Sequence, residues 1–161
     1  QLVARTGWTT AELDAAIDEA SPRGPFDLVT LLIGVNDQYR GLEVEGYRER
    51  FRGLLARAIG FAGDAPGRVV VVSIPDWGVT PHGADRDRVA IARAIDDFNA
   101  AAWREAMAAG TRFVDVTAAS RSLGDAPGAL AEDGLHPSAE QYRAWVDAIA
   151  PAARRALATA R

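Results

Sequence analysis

Asp133-Gly134-Leu135-His136-Pro137 holds the two side chains of this chain best suited to proton transfer. A carboxylate three residues before a histidine on a turn reaches the imidazole Nδ1, fixes the tautomer and leaves Nε2 free to take a proton. Gly134 permits the tight turn, Pro137 stiffens its exit, and Ser138 caps the helix that follows. This setting favours a general base over a chance Asp-x-x-His. A second block, Gly34-Val35-Asn36-Asp37, ends an apolar run. An asparagine at a strand end can aim its side-chain N–H groups at a developing oxyanion, although the same residues are also ordinary turn chemistry. Gly7 has two similar readings: a backbone N–H with no side chain in the way, or a turn glycine.

A nucleophile to go with this base is harder to find. The serines are Ser21, Ser73, Ser120, Ser122 and Ser138, and none lies in a Gly-Asp-Ser or Gly-x-Ser-x-Gly elbow. Ser73, at a strand end with apolar flanks, reads as a buried structural residue, and Ser138 as a helix cap. The absence of cysteine excludes disulfides, thiolate nucleophiles and cysteine-bound zinc. With His82 and His136 as the only histidines and no calcium-loop spacing, no metal is expected. Trp77 and His82 either border a substrate pocket or lie in a solvent-facing loop. Tyr39 and Arg40 either touch substrate or solvate a helix start, and Asp37 organises its turn.

The 161 residues, 48% hydrophobic and 25% charged, suit one domain with a sizeable core. A net charge of −4 argues against a nucleic-acid groove, and the longest apolar run, residues 28–35, falls short of the ~20 residues that span a bilayer. Residues 1–5 read as a strand end. Thr9-x-x-Glu12 is a capping box opening a helix to about Ala20. Residues 28–33 and 68–74 are apolar runs of strand length, the second with four consecutive valines, as expected for parallel strands covered on both faces. Helical periodicity marks residues 47–59 and 86–109. A strand at 112–116, an irregular stretch at 117–137 and a helix from Ser138 complete the chain, with Pro151 expected to kink the last helix. The alternation of strand and helix predicts a doubly wound parallel α/β domain, whose chemistry gathers at the carboxyl ends of the strands.

Taken together, the blocks resemble a family. LLIGVNDQYRG is similar to the Gly-x-Asn-Asp block of the SGNH, or GDSL-type, hydrolases; DGLHPSAEQYRAW to their closing Asp-x-x-His block; and ARTGWTTAEL to the segment with their second-block glycine. VVVVSIPDWGVTP resembles the fourth-strand region of bacterial members. The resemblance implies a three-layer α/β/α, flavodoxin-like fold and ester hydrolysis by a Ser-His-Asp triad without a cofactor. By position it implies His136 as base, Asp133 as orienting acid, and Gly7 and Asn36 as oxyanion donors. The family's Gly-Asp-Ser block is absent, so the expectation is a domain incomplete at its N-terminus. The first, central strand and the serine would then lie upstream of Gln1. The expected partner is a small ester, whether a simple acyl ester, an acetylated sugar, a lysophospholipid or a thioester; a carbohydrate deacetylase is a variant of the same reading. A catalytically dead fragment of the same fold is the alternative. A flavodoxin-like cofactor binder is disfavoured because no phosphate-cradling loop follows a strand.

Overall fold

The computed structural model describes residues 1–158. Three strands, β1 (Val29–Leu31), β2 (Val69–Val72) and β3 (Arg112–Val114), form a parallel sheet in the order β1-β2-β3. Val29 and Leu31 pair with Val69 and Val71, while Val70 and Val72 pair with Arg112 and Val114. Six helices surround it: α1 (Thr10–Ala20), α2 (Val35–Tyr39), α3 (Val44–Phe61), α4 (Arg88–Ala108), α5 (Thr117–Leu123) and α6 (Ala139–Ala158). None of the described helices is long and apolar enough to cross a membrane.

The four valines of β2 explain the layering. Alternate side chains leave opposite faces of a strand. Val69 and Val71 enter a core with Leu13 of α1, Phe51 and Leu55 of α3 and Ile95 of α4. Val70 and Val72 enter a second core with Trp145, Ala152 and Ala156 of α6. Val69, Val70 and Val71 are fully buried, each burial stabilising the fold by about 1.5–3 kcal/mol. The domain is therefore a parallel sheet flanked by helices on both faces. Coverage is lopsided, since Thr30 is exposed and Leu32 is 39% exposed beside β1.

Several elements depart from the sequence reading. Residues 1–5 form no strand. An apolar cleft of about 320 Å³, lined by Leu2, Val3, Leu13, Ile17, Leu31 and Leu32 among others, lies between this segment and β1. The two backbones therefore do not meet at the ladder spacing of about 4.8 Å. The apolar run 28–33 contributes only Val29–Leu31 to the sheet, and the third strand stops at Val114. The Gly-x-Asn-Asp block is a helix start rather than a plain turn, and α5 occupies part of the stretch expected to be irregular. Pro151 lies inside α6, which continues to Ala158 with Ala152 and Ala156 packed into the second core.

Two local features fix α2. Gly34, its N-cap, has φ +125°, and a Cβ there would lie 2.6 Å from a ring carbon of Tyr47, so both conformation and space require glycine. Asp37 is fully buried and accepts hydrogen bonds from the Thr10 N–H at 2.8 Å and from the Thr10 hydroxyl. Arg50 lies 3.7 Å from the same carboxylate and donates from Nε to the Thr10 hydroxyl oxygen at 3.0 Å. The start of α1 is thereby tied to the turn after β1. Replacing Asp37 with alanine strands the buried Thr10 donors, and Asp37→Ala is expected to lower the unfolding free energy by about 3 kcal/mol. The measurement is the denaturant midpoint, which should fall with an unchanged slope.

Candidate active site

The loop before α6 holds Asp133 and His136 in one tight turn. Gly134 takes φ +66°, which only glycine adopts without strain. Asp133 Oδ1 accepts the backbone N–H groups of Leu135 at 3.0 Å and His136 at 2.9 Å, and Oδ2 lies 2.6 Å from His136 Nδ1. These bonds, first from the backbone of His136, then from that of Leu135, then from the ring, hold the Asp133 carboxyl down at about 2. An ionised carboxylate can only accept, so the shared proton sits on Nδ1 and leaves Nε2 as the basic nitrogen. The turn is pinned at its far side by Ser138, whose hydroxyl accepts the Glu140 N–H and donates to the Gly128 carbonyl.

His136 lines a cleft of about 550 Å³ that also contains Gly7, Asn36, Tyr39, Trp77 and His82. Of the four site residues expected from the resemblance, Gly7, Asn36 and His136 line this one cleft, and Asp133 is joined to it through its contact with His136 Nδ1. Asn36 lies in the first turn of α2 and spends one amide hydrogen on the Trp8 carbonyl at 3.0 Å. A primary amide has two, so one remains for a ligand. Gly7 has φ +89°, with open space where a Cβ would project, and its N–H has no acceptor among the described residues.

Trp77 and His82, given two readings from the sequence, border this cleft. The Trp77 ring meets Tyr39 edge-on at 5.1 Å and donates from Nε1 to Gln38 at 2.7 Å. Tyr39 Oη lies 3.2 Å from His82 Nε2, and the Arg86 guanidinium covers the Tyr39 and Trp77 rings at 5.3 and 5.4 Å. Arg86 carries no sequence signal, since its contacts reach 47 positions back along the chain. Arg40 is not a cleft residue: it bonds the Gly7 carbonyl at 2.7 Å and faces Glu12 at 3.3 Å.

Among the described residues no serine lines the cleft. Ser73 is 1% exposed; its hydroxyl donates to Asp115 and accepts the N–H groups of Val116 and Thr117. Ser120 donates to the Thr117 carbonyl and accepts the Asp76 N–H.

A parallel sheet with helices on both faces, and a candidate site in the loops around it, define the class as a parallel α/β domain. The chain belongs to the GDSL-like lipase/acylhydrolase family, whose sequence model matches residues 1–144. Among solved structures it is similar to a putative GDSL-like lipase from Parabacteroides merdae (TM-score 0.73, 20% identity, covering 92% of this chain and 70% of that one). It is also similar to an acetylxylan esterase from Geobacillus stearothermophilus (TM-score 0.67, 22% identity, 91% and 68%). A third is a lipase/acylhydrolase from Enterococcus faecalis (TM-score 0.65, 20% identity, 90% and 70%). No curated protein matches the sequence.

Because Asp133 titrates near 2 in place of the ordinary 3.8, the turn's electrostatic contribution to stability is present above about pH 3.8 and is lost as pH falls toward 2. Carbon-13 NMR of the Asp133 carboxyl should give a midpoint near 2. A midpoint at the ordinary value would mean that the three hydrogen bonds are not formed in solution.

Proposed function

We propose that this chain is the greater part of a carboxylic-ester hydrolase working through a Ser-His-Asp triad. Asp133 and His136 are the acid and base, Gly7 and Asn36 donate to the oxyanion, and a serine from outside these residues is the nucleophile. The observation that carries this reading is the hydrogen-bonded Asp133–His136 pair sharing one cleft with the uncommitted N–H groups of Gly7 and Asn36. The family supports hydrolase activity on acyl esters. Serine as nucleophile is supported by one neighbour, an acetylxylan esterase described as a catalytic mutant in which serine is changed to alanine.

Geometry also supports the serine's route. The apolar cleft beside β1 and the cleft containing His136 share Val3, Leu13 and Leu32, so they are continuous. A parallel strand seated in the first would end in the second, beside His136, where doubly wound sheets collect their chemistry.

In this reading His136 Nε2 removes the serine proton as the oxygen attacks the ester carbonyl carbon. The carbonyl oxygen becomes negative and takes hydrogen bonds from Gly7 N–H and Asn36 Nδ2. The tetrahedral adduct collapses, the C–O bond to the alcohol breaks, and the alcohol leaves with the proton held by the imidazolium. Water then attacks the acyl-serine, His136 takes its proton, and collapse returns that proton to the serine and frees the acid. The sum is ester plus water giving acid plus alcohol.

Two expectations follow. A fluorophosphonate should label the full-length protein at one serine outside the 161 residues, and should leave the 161-residue chain unlabelled; in the full-length protein, His136→Ala should abolish both labelling and turnover of p-nitrophenyl acetate. Stoichiometric labelling at any of the five serines here would replace this assignment. Separately, Asn36→Ala should lower kcat by about 10²–10³-fold with a much smaller change in KM, because its free hydrogen bonds to the charge that develops in the transition state. Loss of thermal stability with normal kcat in the folded fraction would assign Asn36 to the ground-state turn alone.

A further inference from the structure

Gly7 is a poor residue on which to hang a fixed donor. Glycine explores both signs of φ, and rotation of the peptides flanking it would swing its N–H away from a bound carbonyl oxygen. A preorganised oxyanion site requires that this freedom be removed before substrate arrives.

Three consecutive residues of the loop are held by side chains. The Gly7 carbonyl accepts from Arg40 Nη2 at 2.7 Å, the Trp8 carbonyl accepts from Asn36 Nδ2 at 3.0 Å, and the Thr9 N–H donates to Glu12 Oε2 at 2.7 Å. Glu12 Oε2 is also the partner of Arg40 Nη1 at 3.3 Å, which closes a circuit from Gly7 through Arg40 and Glu12 back to Thr9. Arg40 is itself the C-cap of α2, where its N–H donates to the Asn36 carbonyl at 3.1 Å. The short helix and its cap therefore carry both a candidate donor, Asn36, and a group bound to the carbonyl of the residue that supplies the other.

We infer that Arg40, oriented by Glu12, is a positioning residue for the oxyanion site: it grips the Gly7–Trp8 peptide on the carboxyl side of Gly7, and because the Trp8 N–H of that peptide ties back to the Arg5 carbonyl at 3.4 Å, the turn that carries the Gly7 N–H is held with it; this rests on the assignment of Gly7 and Asn36 made above. Arg40 does not line the cleft, so its effect reaches the substrate through Gly7 and not by direct contact. Both members of the pair are close to half exposed, at 48% and 44%. An exposed ion pair of that kind adds little to stability. A salt bridge with no stabilising purpose but a firm grip on the one flexible donor is what a positioning device requires. Glu12 is kept ionised by the Thr9 backbone and hydroxyl donors and by Arg40 itself, which hold its carboxyl below the ordinary range.

The test uses the full-length protein with p-nitrophenyl acetate and compares Arg40→Met, Arg40→Lys and His136→Ala. Arg40→Met should lower kcat by about 10–100-fold, bounded by the worth of a single oxyanion donor, with KM within about twofold and the thermal midpoint nearly unchanged. Arg40→Lys, which keeps one donor for the Gly7 carbonyl, should recover part of that loss. Wild-type kcat in Arg40→Met beside a dead His136→Ala would overturn the positioning role and leave the triad reading standing. A loss in Arg40→Met that tracks the thermal midpoint or KM, or that lysine does not relieve at all, would overturn it as well. An active His136→Ala would instead overturn the triad reading on which the inference rests.

Discussion

A carboxylate with no exposure to solvent, Asp37, sets the relation between the first helix and the turn after the first strand. Its oxygens take the backbone N–H and hydroxyl of Thr10, and Arg50 approaches from α3. Burying a charge is costly unless its hydrogen bonds are complete, so the partners cannot drift apart without leaving it stranded. The loop carrying Gly7 and the short helix carrying Asn36 come from segments 28 positions or so apart, and this buried contact, with the Asn36–Trp8 and Arg40–Gly7 bonds at the surface, holds both in a fixed mutual position. What the cleft presents to a substrate depends on it.

The two sides of the cleft are built differently. The Asp133–His136 side is made of contacts within one turn, with Gly134 supplying the backbone conformation and Asp133 accepting all three bonds. The rest of the cleft is assembled from α2, the loop before α1 and the segment after β2, where Trp77 is anchored by Gln38 and meets Tyr39 edge-on. Arg86 closes that wall from the segment leading into α4, so three stretches of chain must be in place before its shape exists.

Legibility in the sequence follows the same division. The valines of β2 were readable because a strand covered on both faces leaves an uninterrupted apolar run, and α1 was readable because its capping box is closed by residues three apart. Asp133 and His136 were readable for the same local reason. The helix α2 was not, since five residues are too few to show a period and Gly-x-Asn-Asp also spells a turn. Residues 1–5 have strand composition but no ladder, because pairing depends on what lies alongside and not on the segment itself. Asp37 was legible as a turn organiser, but its partner Thr10 and the partners of Arg40, Gly7 and Glu12, were not, for want of any signal linking residues on the far side of a helix and a strand.

The local closure of the Asp133–His136 pair has a consequence for how the molecule would lose function. Bringing together residues three apart costs little chain entropy, whereas seating Asn36 against Trp8 requires a long loop to close and a helix to dock. Partial unfolding that loosens α2 would therefore part Asn36 from Trp8 while the imidazole kept its carboxylate partner. The two sides of the cleft can thus be lost separately, and an intact Asp133–His136 turn does not by itself report an intact cleft.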